Sequence, residues 1–248
     1  MPASDLTALL IDARRSGTPF ALRPEIEPAS IAEAYAVSAR VAAGLGEVVA
    51  GWKVGHLPDR RAMAAPMFAS GLRASGARWT LNPQMPLIPE VEAAVRLARD
   101  IPPRPGNAYC RDEILDSLSE VLIGLELIAR RFTPNAEASQ AALLADDLGN
   151  CGFVAGPCLR AVHSLDFAAL AARFRIGDEW REGRPHPKGD PLIPLIAWAC
   201  EQCDLLGGLR AGQIITLGSL TPMVTVRAPA TVEGEIAGLG TVTVDVVG

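Results

Sequence analysis

An α+β fold with a mixed, rolled sheet is what the sequence predicts, on three observations. Helical and extended segments are interspersed along the chain, but no βαβ rhythm repeats, which argues against doubly wound and barrel folds. Residues 1–45 read as helix alone, while the segment from 213 onward reads as successive strands. Between them, Glu90 and Glu92 stand at a spacing that only a strand would place on one face, and Glu126 lies in an apolar run that reads as a buried strand.

Taken in order, Asp5 to Arg15 has leucines and an isoleucine at helical spacing and ends at Gly17-Thr18-Pro19. Pro28 to Gly46 is a second helix: Ser30 can cap it, Glu33 follows three residues later, and Ile31, Tyr35, Val37, Val41 and Leu45 form its stripe. A strand is expected over 48–54, then a short helical segment from Asp59 and the piece Met67-Phe68-Ala69-Ser70. Further strands are expected at 78–81 and around Glu90 and Glu92. Pro102-Pro103-Arg104-Pro105-Gly106-Asn107 is a loop. A helix near 111–118, a strand around Glu126, a helix near 136–144, a strand at 152–155 and a strand pair over 175–182 follow. A helix over 191–206 leads to C-terminal strands at 213–217, 223–227, 230–236 and 241–247. The division expected is an N-terminal helical or α/β cap, residues 1–75, and a metal-binding β-roll, residues 76–248.

At 248 residues, 49% hydrophobic and 21% charged, the chain can bury a large core. A formal charge of −5 with no dense basic cluster argues against nucleic acid and anionic membrane as partners. The opening residues lack the pattern of a signal peptide, and no run of apolar residues is long enough to span a bilayer, so a cytoplasmic home is expected. The high apolar fraction also predicts a homo-oligomer. Five cysteines form no disulfide framework; Cys200 and Cys203 lie in a helical pattern and read as core-facing thiols. The three histidines are isolated, against a zinc site of the His/Cys kind.

Chemistry concentrates at four residues. Glu126 lies inside Val121-Leu122-Ile123-Gly124-Leu125-Glu126-Leu127-Ile128, where an isolated carboxylate costs several kcal/mol of desolvation, roughly, unless it is protonated, hydrogen-bonded or bound to a cation. Glu90 and Glu92 alternate with apolar residues, which sets them on one strand face about 6.5–7 Å apart. Together the three could form an all-oxygen site for a hard divalent ion. The same spacing also describes a solvated polar face, and Glu126 could instead pair with Arg130 or Arg131. Lys53 is a single ammonium in an apolar strand; desolvation would lower its pKa towards the range useful for proton transfer, or it could lie at a strand edge with its head in water. Leu217-Gly218-Ser219-Leu220-Thr221 reads as a turn that could offer hydroxyl or amide donors to an anion. No phosphate-binding glycine loop and no nucleophile elbow are present.

These segments, in this order, resemble the 2-keto-4-pentenoate hydratase and 4-oxalocrotonate decarboxylase family of the fumarylacetoacetate hydrolase superfamily. The resemblance runs from about residue 31 to 245 and rests on Gly51-Trp52-Lys53-Val54-Gly55, Met67-Phe68-Ala69-Ser70, Glu90-Val91-Glu92, Gly124-Leu125-Glu126, Ala145-Asp146-Asp147 with Gly152-Phe153-Val154, Gly189-Asp190-Pro191 and Gly218-Ser219. It implies a mixed β-roll with an N-terminal helical cap and Mg²⁺ or Mn²⁺ held by Glu90, Glu92 and Glu126. It also implies a small 2-keto acid or 2-hydroxydienoate substrate and Lys53 as the proton-transfer group, with Ser70 and Asp147 as further catalytic candidates. Gly218, Ser219 and Phe68 would contact substrate. The reaction expected is hydration of a 2-hydroxy-2,4-dienoate to a 4-hydroxy-2-keto acid. A decarboxylase of 2-keto diacids would need an extra cationic pocket, for which Arg73 and Arg78 are candidates. An acylpyruvate hydrolase would need a carboxylate–histidine pair, with His56 the nearest histidine, and a catalytically silent keto-acid binder is the remaining alternative. The chain departs from the family pattern at His56-Leu57-Pro58, at Ser70, at Ala129-Arg130-Arg131 and at Asp147.

Overall fold

The N-terminal helices form where their apolar stripes place them in the computed structural model, which describes residues 2–56, 62–133, 137–183, 190, 192–201 and 208–248. Helix α1 (Pro2–Ser16) buries Leu6, Leu10 and Ala13, at i, i+4 and i+7. Helix α2 (Ile31–Leu45) starts at Ser30, whose side chain accepts from the Glu33 N–H at 3.1 Å, and stops at Gly46, left-handed at φ 69°. Its Tyr35 hydroxyl accepts from the Ala64 N–H at 3.1 Å, which ties the helix to the sheet below.

The strands follow as β1 (Val49–His56), β2 (Ala62–Phe68), β3 (Leu72–Ala74), β4 (Ala77–Thr80) and β5 (Ile88–Leu97). Then come α3 (Arg111–Leu115), β6 (Leu118–Ile128), α4 (Gln140–Ala145), β7 (Asn150–Leu159), β8 (Ala172–Ile176) and β9 (Glu179–Glu182). Helix α5 (Leu192–Glu201) precedes β10 (Ile214–Ser219), β11 (Ala230–Ile236) and β12 (Gly240–Val247). Seven strands form a sheet in the order β2-β1-β10-β5-β6-β7-β3, and five form a second in the order β4-β12-β11-β8-β9. The first sheet is mixed: β1 pairs parallel with β10 and β3 parallel with β7, and the remaining pairs are antiparallel. Strand β2, at one end of that order, packs against β7 near the other, so the sheet curls into a roll.

The curl gives the sheet two chemically different faces. Val91, Ala93, Val95, Ile123 and Leu125 point outward into the main core, where β11 and β12 of the second sheet pack on β5 and β6. On the same outer face Trp52 of β1 meets Trp198 of α5, ring centroids 6.0 Å apart. Inside the roll, Met67, Ala94, Leu122, Phe153 and Ile214 form a separate small cluster. That inner plug leaves the remaining inward positions of β1, β5 and β6 for polar side chains.

Three expectations need correction. Residues 62–68 form strand β2 and not part of a helical segment; Pro66 is tolerated there because β2 ends the hydrogen-bonded order of the sheet. The beginning of that expected helix, 59–61, lies outside the described residues. The strand expected at 223–227 is reduced to a single bridge between Leu87 and Val226. The proposed boundary near residue 75 is crossed by the larger sheet, since β1, β2 and β3 hydrogen-bond with β10 and β7 beyond it. Among the described residues no helix is long and apolar enough to cross a membrane.

Candidate metal centre and active site

Adjacent antiparallel strands deliver the three glutamates to one place. In the β5–β6 pairing Glu90 stands opposite Glu126 and Glu92 opposite Gly124. Directly paired residues project to the same face, so all three carboxylates enter the roll above the plug of Ala94 and Leu122. A carboxylate oxygen from each lies within 4.8 Å of the other two. Glu126 is 0% exposed and Glu92 2%. Gly124 is a spatial necessity here: a Cβ on it would overlap the Phe153 ring, which fills the gap beside Glu126.

Lys53 enters from β1, its Nζ 2.6 Å from Glu126 Oε1. Asn150, at the start of β7, donates its Nδ2 to the same oxygen at 2.9 Å. Glu92 Oε2 accepts the backbone N–H of Gly218 at 2.8 Å. Glu126 Oε2 is buried without a hydrogen-bond partner among the described residues. Burial, with the neighbouring Glu126 carboxylate, pushes Glu90 up to about 7 against the pull of Lys53. Glu92 is raised by burial and by both other carboxylates, with Lys53 and the Gly218 N–H opposing. The expectation that Lys53 is lowered is corrected for this arrangement: burial acts in that direction, but Glu126, Glu90 and Glu92 outweigh it and its pKa is raised.

The set fits a hard divalent cation. Three carboxylates face one ammonium, a buried carboxylate oxygen lacks a partner among the described residues, and burial with the neighbouring carboxylates makes two of the acids resist ionising. A dication among these oxygens would remove all three anomalies.

The other expected site residues divide. Gly218 is at the site, but its N–H is bonded to Glu92 and so orients that side chain, where a substrate contact was expected. Ser219 pairs with Glu92 across β10 and β5, and its hydroxyl donates to the Thr221 carbonyl at 3.0 Å. Ser70 donates to Glu47 Oε1 at 2.5 Å on the surface. Phe68, next to Met67 of the plug, lies under the Arg14 guanidinium at 5.3 Å. Phe68 and Ser70 line a cavity of about 300 Å³ with Arg14 and Glu47, to which none of Lys53, Glu90, Glu92 and Glu126 contributes. Asp147 is fully buried, receives Arg14 Nη2 and the Ser38 hydroxyl at 2.6 Å each, and thereby fastens α1 and α2 to the turn before β7. Burial raises its pKa to about 6, with Arg14 and Ser38 opposing.

Sequence reasoning missed Asn150 and Thr216. Thr216 pairs with Lys53 across β1 and β10, and its hydroxyl is buried without a hydrogen-bond partner among the described residues. Neither belongs to a repeat or spacing that could have marked it.

The same fold is found in several solved structures. The chain superposes on 4-oxalocrotonate decarboxylase from Pseudomonas putida G7, complexed with magnesium and adipate, with a TM-score of 0.85 and 18% identity over 98% of each chain. Fumarylpyruvate hydrolase from Pseudomonas aeruginosa, in complex with Mn²⁺ and pyruvate, gives a TM-score of 0.56 and 16% identity, covering 81% of this chain and 90% of that one. Maleylpyruvate hydrolase from Sphingobium sp. SYK-6 gives 0.54 and 19%, covering 81% and 70%. At these identities the likeness establishes the fold. No protein-family model matches the chain.

Proposed function

We propose that this chain is a divalent-metal-dependent lyase of short 2-keto acids that hydrates a 2-hydroxy-2,4-dienoate to a 4-hydroxy-2-keto acid. The observation that carries the reading is the convergence of Glu90, Glu92 and Glu126 with Lys53 inside the roll. Glu90, Glu92 and Glu126 would hold Mg²⁺ or Mn²⁺, which supplies Lewis acidity towards a keto acid's oxygens. The magnesium and manganese complexes of proteins with this fold support that assignment.

The chain's own residues supply the rest. Lys53 Nζ holds a proton 2.6 Å from Glu126 and is the group placed to give it to, and take it from, the substrate's carbon chain. A dication among the carboxylates would offset the charges that raise Lys53 and so favour release of its proton. The Gly218 N–H fixes Glu92, and Asn150 fixes Glu126. The plug of Met67, Leu122 and Phe153 fills the roll beneath the carboxylates.

Decarboxylation of a 2-keto diacid is the second reading, favoured by one arginine. A cavity of about 320 Å³ is lined by Ile88 and Ile128, which pair with each other two residues from Glu90 and Glu126 on the same strand face. Arg130 lines it too, with no hydrogen bond or ion pair among the described residues, and could meet a second carboxylate. The arginines expected in that role are elsewhere. Arg73 stacks over Trp79 and donates to the Ser70 and Leu72 carbonyls, while Arg78 borders a cavity of the second sheet beside Asp245. Ultraviolet assays of metal-stripped protein on 2-hydroxy-2,4-dienoates and 2-keto diacids, with and without Mg²⁺, decide between the readings. Turnover of neither class with metal added would overturn both.

A further inference from the structure

Asn150 occupies a specific place in the site's wiring. Its carboxamide donates to Glu126 Oε1, the oxygen that also receives Lys53, and leaves Oε2 as the oxygen without a partner. Two donors on one oxygen fix the orientation of the carboxylate plane, because turning it to an intermediate angle would lengthen both bonds at once.

Asn150 is itself clamped. Arg131 Nη2 donates to the Asn150 carbonyl at 2.5 Å, and the Arg131 backbone N–H donates to Asp146 Oδ2 at 3.0 Å. Arg131 Nη1 stands 3.3 Å from Asp146 Oδ1. The turn that carries these groups holds Asp147 and Leu148 at positive φ, 52° and 54°, a conformation that L-residues adopt only when their surroundings enforce it. Arg14 and Ser38 supply that enforcement through Asp147.

We infer that Asn150 is a positioning residue for the metal centre: from the clamped turn before β7 it holds one oxygen of Glu126 and so orients the other, unpartnered oxygen as a ligand. The inference rests on the metal reading above and adds to it an outer partner that the sequence does not mark. Carboxylate ligands are held by such partners, and their loss typically weakens metal affinity by about 10–100-fold.

The test measures Mn²⁺ binding to the metal-stripped full chain by electron paramagnetic resonance, through both the dissociation constant and the spectrum at saturation. Asn150→Ala is expected to bind about 10–100-fold more weakly and to give an altered spectrum when saturated, since the ligand oxygens are rearranged. Glu233→Gln breaks an ion pair with Arg175 on the second sheet without touching the turn or Glu126; it is expected to keep the wild-type affinity and spectrum. If Asn150→Ala does not fold, Asn150→Ser, polar but too short to reach Glu126, makes the same test. Wild-type affinity in the Asn150 variant, or a weakened affinity with an unchanged saturated spectrum, overturns the positioning role. Failure of the wild-type chain to bind Mn²⁺ overturns the metal reading instead.

Discussion

Lys53 Nζ and Glu126 Oε1 lie 2.6 Å apart although their strands are not neighbours: β10 and β5 stand between β1 and β6. In a flat sheet those backbones would be about 14 Å apart with side chains projecting in parallel. The ion pair therefore exists because the sheet is rolled, and it spans the interior that the curl creates. Chemistry and curvature are one feature of this fold.

Lys53→Met keeps the stem and removes the titrating group. The variant is expected to fold and bind Mn²⁺ while turnover falls by about 10²–10⁴, the usual scale of an acid–base contribution. Near-normal turnover would assign the proton transfer to another group.

Divalent ions should raise thermal stability, by about 2.7 kcal/mol when the free ion is at a hundred times its dissociation constant. Glu126→Gln is expected to abolish the shift. Glu233→Gln, whose native partner is Arg175 on the second sheet, should leave it intact. Identical melts in EDTA, Mg²⁺ and Mn²⁺ would argue against a metal centre.

Metal-free protein should lose stability as pH rises. Glu90 ionises at about 7 and Asp147 at about 6 when folded, against ordinary values of 4.5 and 3.8. Both are raised, so their contribution is complete below the ordinary values and is withdrawn as pH climbs through 6 to 7. Melting temperatures in EDTA should fall between pH 5 and 8, and Mg²⁺ should protect more at the alkaline end, where its ligands are ionised. A flat or rising profile in EDTA would contradict this.

Gly124→Ala should cost about 1–3 kcal/mol, because its methyl group must displace the Phe153 ring from a packed interior. Urea denaturation measures it, and wild-type stability would mean that the ring has room to move.

Arg130→Leu separates the two proposed reactions. If a diacid is the substrate, KM should rise at least tenfold for it and stay level for a monoacid of equal length. Equal KM values for the diacid in both proteins would remove Arg130 from substrate binding.

The sequence disclosed most of the fold and the centre of the site through alternation. Glu90 and Glu92 between apolar neighbours, and Glu126 within an apolar run, are positions where period-2 geometry leaves few choices. The pattern failed where pairing is decided by distant chain. Strand β2 was obscured by its small residues and Pro66, and its place depends on meeting β1. Resemblance implies catalytic or substrate roles for Ser70, Phe68 and Asp147; Ser70 and Phe68 line the cavity beside Arg14, which Asn150 also borders, and Asp147 is bonded to α1. Asn150 was invisible because its role arises only when β7 lies beside β6.

The opposition of Glu90 to Glu126 carries one more consequence. A slip of a single residue between β5 and β6 would turn Glu126 to the outer face while Glu90 and Glu92 stayed inside. Such a misaligned chain would place an uncompensated charge in the main core and lose its cation site in one step. The glutamates thus act as an alignment key for β5 and β6, and binding of a cation would certify that the chain has zipped correctly.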